Sequence, residues 1–195
     1  MKQNVSWGAS SPASSRSAVG LTVLGALARL IPHPANFTPV GAMSLFAGAR
    51  IPGYQAYLIP LALMAVTDLI LGYSAATPFV YGSFLLSVWI GRRFLKKVNS
   101  RRLGLVVLSG SLQFFLLTNA GVWLTSGMYP HTSAGLLACY AAAIPFFGRT
   151  LAGDLLYSSA LFGLHAWLRR AAFSLSGNLV KNTSGCRARR YCTVP

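Results

Sequence analysis

Two carboxylates, Asp68 and Asp154, three histidines and three cysteines carry whatever acid–base or metal chemistry this 195-residue chain can perform. Their spacing supports little of it. Neither His33, His131 and His165 nor Cys139, Cys186 and Cys192 form an HxxxH, HExxH or CxxC pattern, so no metal site is expected. A nucleophile elbow is missing too: Leu108-Ser109-Gly110 supplies only a fragment of the Gly-Xaa-Ser-Xaa-Gly turn. There is no P-loop, so any uphill work must draw on a partner or an ion gradient. A carboxylate pair made by Asp68 and Asp154 would need an adjacent nucleophile or metal, and the sequence offers neither. The chain is expected to be no enzyme and to hold no cofactor.

Polar side chains set within apolar runs are the other candidates. RLIPHPANFTPVGAMSLFAGA, residues 29 to 49, interrupts a hydrophobic chain with Pro32, Pro34 and Pro39, which a helix interior cannot hold without losing a hydrogen bond. This segment must turn. In one reading it is a surface turn in which Asn36 or Thr38 caps the next helix; in the other, Asn36 and Thr38 also face a ligand cavity. Asp68, in LMAVTDLILGY, falls near the outer end of an apolar helix. A carboxylate there must face protein or water, with Arg29, a backbone donor or a cationic ligand group as partner. Asn119, in LLTNAGVWLTSGMYPHT, is an amide in an apolar run, where lipid offers no partner. Trp123 and Tyr129 follow it as boundary aromatics. Asn36, Thr38, Asp68, Asn119, Trp123 and Tyr129 together are the expected substrate-binding set, converging on an outward-facing cavity. Asp154 is expected in the first turns of the last helix, with Thr150 as cap and Arg149 as neighbour.

The elements that position these residues follow from composition. Apolar residues make up 54% of the chain and charged residues 10%, against about 25% in an ordinary soluble domain. Such a sequence cannot cover a soluble surface with charge, so a bilayer is the expected solvent and lipid an expected partner. A net charge of +15 would otherwise suggest nucleic acid, but the cations mark loops and ends. Arg92, Arg93, Lys96, Lys97, Arg101 and Arg102 fill one loop, and Arg169, Arg170, Lys181, Arg187, Arg189 and Arg190 the tail. This is the pattern of cytoplasmic anchors, and no nucleic-acid partner is expected.

Seven apolar stretches, at about 18–31, 39–49, 54–72, 77–91, 103–126, 133–147 and 150–168, are continuous rather than alternating, which favours helices over a barrel. Both basic clusters stay on one side if 133–168 makes a single net crossing, with a short helix or partial re-entry broken near Pro145, Gly148 and Arg149. The expected fold is therefore an all-α, polytopic transmembrane bundle of about six helices. Residues 1–17 read as a disordered polar tail, 18–168 as the bundle and 169–195 as a basic C-terminal tail. Small residues recur every four positions in Ala18, Thr22 and Ala26 and in Ser44 and Gly48. Such stripes allow helices to approach closely, within this chain or against a partner helix.

The run from Arg29 to Ala49, with PLALMAVTDLILG, LLTNAGVWL, YPHT, CYAAAIPFFGRTLAGDLLY and LFG in that order, resembles a family of small uncharacterised membrane proteins assigned to transport. That family looks related to the substrate-binding S component of energy-coupling-factor (ECF) transporters. The resemblance covers most of residues 28 to 166. It implies a six-helix S-component fold, multi-pass in a bacterial cytoplasmic (inner) membrane, which captures a vitamin-like or other small micronutrient. Partner subunits, a transmembrane coupling protein and two cytoplasmic ATPases, would supply the energy. By the same resemblance Ala18, Thr22 and Ala26 would contact the coupling subunit. The alternative is a membrane scaffold or assembly protein with no ligand.

Overall fold

The computed structural model describes residues 12–30 and 37–188. Among them it forms six α-helices and no strand. These are α1 (Pro12–Ala28), α2 (Val40–Arg50), α3 (Gln55–Leu71), α4 (Thr77–Phe94), α5 (Ser100–Thr125) and α6 (Ser133–Ala188). Helix ends follow local chemistry: Pro78 occupies the first turn of α4, where a missing N–H costs nothing. Asn99 caps α5 by accepting the Arg102 backbone N–H at 2.7 Å. Gly72 ends α3 with φ +92°, a conformation that glycine adopts without steric cost.

The shortest helix lies at the centre. α2 has 11 residues, of which eight, from Val40 to Gly48, are buried, and it packs against each of the other five helices. Its closest neighbour is α4. A Cβ on Gly48 would overlap the Val88 carbonyl, and one on Gly91 would overlap the Leu45 carbonyl. The two backbones therefore touch, and only glycine fits at either position. Two small stripes meet there, Ser44 and Gly48 on α2 with Ser83, Ser87 and Gly91 on α4, all buried. Gln113 on α5 fastens this pair by donating to the Ser83 carbonyl at 3.0 Å and to Ser87 Oγ at 2.8 Å.

Side-chain contacts show that successive helices run antiparallel. Ser17 near the start of α1 meets His165 far along α6 (Oγ to Nδ1 3.4 Å). Arg29, just past α1, reaches Asp68 near the end of α3, and Tyr81 near the start of α4 reaches the same carboxylate. Arg92 at the end of α4 donates to the Gly53 carbonyl before α3 at 2.6 Å. The basic loop between α4 and α5, the Arg50 turn and the Arg169–Arg170 stretch of α6 thus share one end of the bundle.

Several sequence expectations are corrected here. Helix α6 runs unbroken through Pro145, Gly148 and Arg149. A proline inside a helix removes one hydrogen bond, and the remaining turns carry the helix past it. Residues 133–168 therefore lie in one continuous helix, without the expected break. Residues 12–17, placed in the polar tail, begin α1, and the basic stretch after 168 continues α6 to Ala188. Two helices, Ser100–Thr125 and Ser133–Ala172, are long and apolar enough to cross a membrane; α3 and the Ser15–Ala28 part of α1 are apolar but shorter.

Candidate functional site

A cavity of about 150 Å³ lies over the N-terminus of α2. Its walls include Arg29, Thr38, Gly41, Phe84, Phe114 and Asp154. Helix α2 makes this place polar, because the first amides of a helix lack partners within it. Its N-cap is Pro39, which supplies no side-chain acceptor. The acceptor comes from α6: the Asp154 carboxylate takes the Ala42 backbone N–H, and Ser111 on α5 donates to Asp154 Oδ2 at 2.7 Å. Gly41 faces the same carboxylate so closely that a Cβ there would overlap it. The positive end of the α2 dipole and two donors thus hold one buried carboxylate.

This corrects the reading of Asp154 as an early residue of its own helix. It stands well inside α6, and the helix start it serves is that of α2. Thr150 donates to the Phe146 carbonyl at 3.1 Å, and the Arg149 guanidinium lies 6.0 Å from the Phe146 ring centre. Nor does Thr38 cap α2; it lines the cavity. Phe37, just before it, packs at a tilt against Tyr157, 5.7 Å between ring centres, and against Gly153, fixing where the chain enters α2.

Asp68 belongs to an adjoining polar cluster. Arg29 donates from Nη1 to Asp68 Oδ1 and to Thr67 Oγ1, each at 2.6 Å. Tyr81 donates to Asp68 Oδ2 at 2.6 Å. Both carboxylate oxygens are engaged, and the residue is only 4% exposed. Arg29 links the two groups, since it pairs with Asp68 and borders the cavity. Asp68 itself is not among the lining residues, so its contribution to the cavity passes through Arg29.

The remaining expected residues separate from this site. Asn119 donates to the Phe115 carbonyl one turn back at 2.8 Å, so its amide is served by its own helix. Trp123 donates to the Pro130 carbonyl at 2.9 Å and packs edge-on against His131 at 5.4 Å. Tyr129 sits half-buried in that same α5–α6 turn. None of the three lines the cavity, and the expected convergence of Asn119 with Asp68 is not observed. Asn36 lies outside the described residues. Ala18, Thr22 and Ala26 are buried within the chain, at 0%, 0% and 3% exposure, where α1 packs on α2. They are closed to a partner helix; the exposed face of α1 carries Gly20, Leu24 and Leu27 instead.

Six contributors went unread in the sequence: Val40, Gly41, Val80, Phe84, Ser111 and Phe114. Each looks like an ordinary member of an apolar helix, and only the packing of α2, α4, α5 and α6 brings them together. Tyr81 is different. A phenol four residues into the helix after Asp68 was a readable candidate for its second oxygen.

Fold and site define an all-helical bundle with two buried carboxylates at one polar level and a small cavity beside them. The chain belongs to DUF6580, a family of unknown function whose model matches residues 12–176. No curated protein and no solved structure matches the chain.

Proposed function

We propose that this protein is an integral membrane transport component of the S-component type, which captures a small polar solute at the cavity over α2. The observation that carries this reading is the cavity itself, bounded by a cationic Arg29, a hydroxyl-bearing Thr38 and a carboxylate at Asp154. A concave site with a few convergent polar groups on apolar walls is the usual form of a small-molecule site. Ligand sites typically offer about 300–1,000 Å³, so a space of about 150 Å³ suits a compact solute or one part of a larger one. Opposite charges on its walls favour a zwitterion or a strongly dipolar molecule.

Three features support a multi-pass membrane setting. Only 28% and 17% of the two long apolar windows are buried, whereas the core helix of a soluble protein would be mostly covered. Large apolar side chains stand exposed on several helices, among them Leu58, Leu69, Ile70, Leu105 and Trp167. Finally, the antiparallel run of six helices gathers the basic segments at one end, the arrangement of a cytoplasmic face. The cavity then lies in the half away from that face, where a solute from outside would enter. A coupling subunit would have to use a face other than Ala18, Thr22 and Ala26, and Gly20, Leu24 and Leu27 are the exposed positions on α1. The alternative, a membrane scaffold without a ligand, is favoured by one observation: both carboxylates are already satisfied inside the chain.

Native mass spectrometry of the chain, extracted in mild detergent from its own host, decides between them. Transport predicts a retained small molecule that is lost in Thr38→Trp, which fills the cavity, while the melting temperature holds. A bare wild-type chain, also unable to take up solutes offered at millimolar concentration, would sink the transport reading and leave the scaffold.

A further inference from the structure

The charges around the cavity over α2 do not cancel. Arg29 lines it, but that cation is already matched, with Nη1 2.6 Å from Asp68 Oδ1. Asp154 lines it too, and the donors that hold its carboxylate are neutral, the Ala42 N–H and the Ser111 hydroxyl. Arg149, the nearest cation along α6, is exposed and stands by the Phe146 ring, outside the lining. One cation against two carboxylates leaves a negative charge, and the α2 dipole returns only about half of a positive one. Asp154 also keeps room to accept: a carboxylate offers about four lone-pair sites, and the Ala42 and Ser111 donors use one each. Thr38 and Thr150 line the same space with hydroxyl oxygens. Phe84 and Phe114 complete the wall, with ring centres 5.1 Å apart, and aromatic faces attract cations.

We infer that the group recognised in this cavity is a protonated primary amine, received by Asp154 with the Thr38 and Thr150 hydroxyls and flanked by Phe84 and Phe114. The solute then belongs to the compact amines, whether simple cations or zwitterions. An ammonium brings three N–H donors and no acceptor, which suits three walls that carry oxygen. Asp154 is 4% exposed, so water competes little for it, and a charged donor gains more there than at a surface. A lone carboxylate is the wrong ligand: it would add charge of the sign already in excess, and Arg29 could meet it only by sharing its pairing with Asp68. A neutral polyol would reach the hydroxyls and leave the Asp154 charge unmatched. The inference deepens the solute-capture reading proposed above and rests on it.

The test uses four probes of matched size on the full chain in mild detergent, at neutral pH and constant ionic strength. Ethanolamine is compared with ethylene glycol, and glycine with glycolate, so that each pair differs in the amine. Binding is read from the rise of melting temperature with probe concentration. Each amine is expected to bind about tenfold or more tightly than its partner, the scale of a hydrogen bond between charged groups. Asp154→Asn keeps an acceptor and removes the charge, and should bring each pair to within about threefold. Phe114→Leu keeps an apolar wall and should weaken ethanolamine by about threefold while leaving ethylene glycol unchanged; it decides alone if Asp154→Asn does not fold. Equal binding within the pairs, a preference for glycolate, no response to any probe, or full amine selectivity retained in Phe114→Leu would each overturn the inference. Transport fails separately. A chain that binds ethanolamine but moves no solute into vesicles upholds the amine site and defeats transport, whereas a retained host solute without an amine upholds capture and defeats the amine site.

Discussion

Asp154 on α6 caps α2 at Ala42, across the interior of the bundle. Gly41 is the residue that lets the carboxylate approach, because any Cβ there would overlap it. A central helix of 11 residues, about 16 Å long, has few internal hydrogen bonds and depends on this external acceptor. Gly41→Ala should therefore destabilise the fold by about 1–3 kcal/mol, the scale of overpacking. Asp154→Leu should cost a similar amount by leaving a buried amide unsatisfied, about 1–3 kcal/mol, and Asp154→Asn less, since an amide oxygen still accepts. Thermal melting in detergent checks the order. A wild-type melting temperature in Gly41→Ala would contradict the contact.

The Arg29–Asp68 pair yields a double-mutant cycle. Asp68→Leu leaves the Arg29 guanidinium without its carboxylate in a site where Asp68 is nearly covered, and losses of about 3–5 kcal/mol accompany such changes when burial is complete. The Arg29 side chain is 18% exposed, so the lower part of that range is expected. Combining Arg29→Met with Asp68→Leu should recover much of the loss, because a buried pair can often be replaced by apolar groups. Tyr81→Phe should cost about 1.5–3 kcal/mol, the scale of a hydrogen bond to a charged group. Additive single effects in the cycle would argue against a direct pair.

These two clusters show what was legible in the sequence. Asp68 could be placed near the end of its helix with Arg29 as one of three possible partners, because a carboxylate in an apolar run demands one; the structure selects Arg29. Asp154 misled for a physical reason. Pro145 and Gly148 suggest a helix start, and Thr150 then looks like a cap, yet helix continuity is decided by packing over many turns. Its true role depends on α2 crossing in front of α6, a tertiary fact with no local signal. Asn119 carries a similar lesson: an amide in an apolar helix can bond the carbonyl one turn back, as it does here to Phe115. The small stripe of α2 was readable from Ser44 and Gly48. Its counterpart Ser83, Ser87 and Gly91 has the same four-residue spacing and was equally available to the eye.

The α2–α4 crossing turns that spacing into a prediction. Gly48→Ala and Gly91→Ala each place a methyl group into a facing carbonyl, where neither backbone can yield without separating the helices. Each should destabilise by about 1–3 kcal/mol or more. Gly82→Ala, on the exposed side of α4 with nothing within 4 Å, should be neutral or gain up to about 1 kcal/mol through helix propensity. A melting series of the three variants reads this directly. Equal effects at Gly48 and Gly82 would show that the helices do not touch.

Asn119 and Trp123 offer the opposite test, of residues expected to matter little. Asn119→Ala removes an amide that bonds only its own helix and is predicted to change stability by less than about 1 kcal/mol. Trp123→Phe keeps the ring at the α5–α6 turn and loses the bond to the Pro130 carbonyl, costing about 0.5–1.5 kcal/mol. Neither lines the cavity over α2, so both variants should retain any bound solute at the wild-type level in native mass spectra. Thr38→Trp, in the same experiment, should lose it. If Asn119→Ala lost the solute with melting unchanged, the ligand would sit at the α5–α6 turn, and the cavity beside Arg29 and Asp154 would be a packing defect.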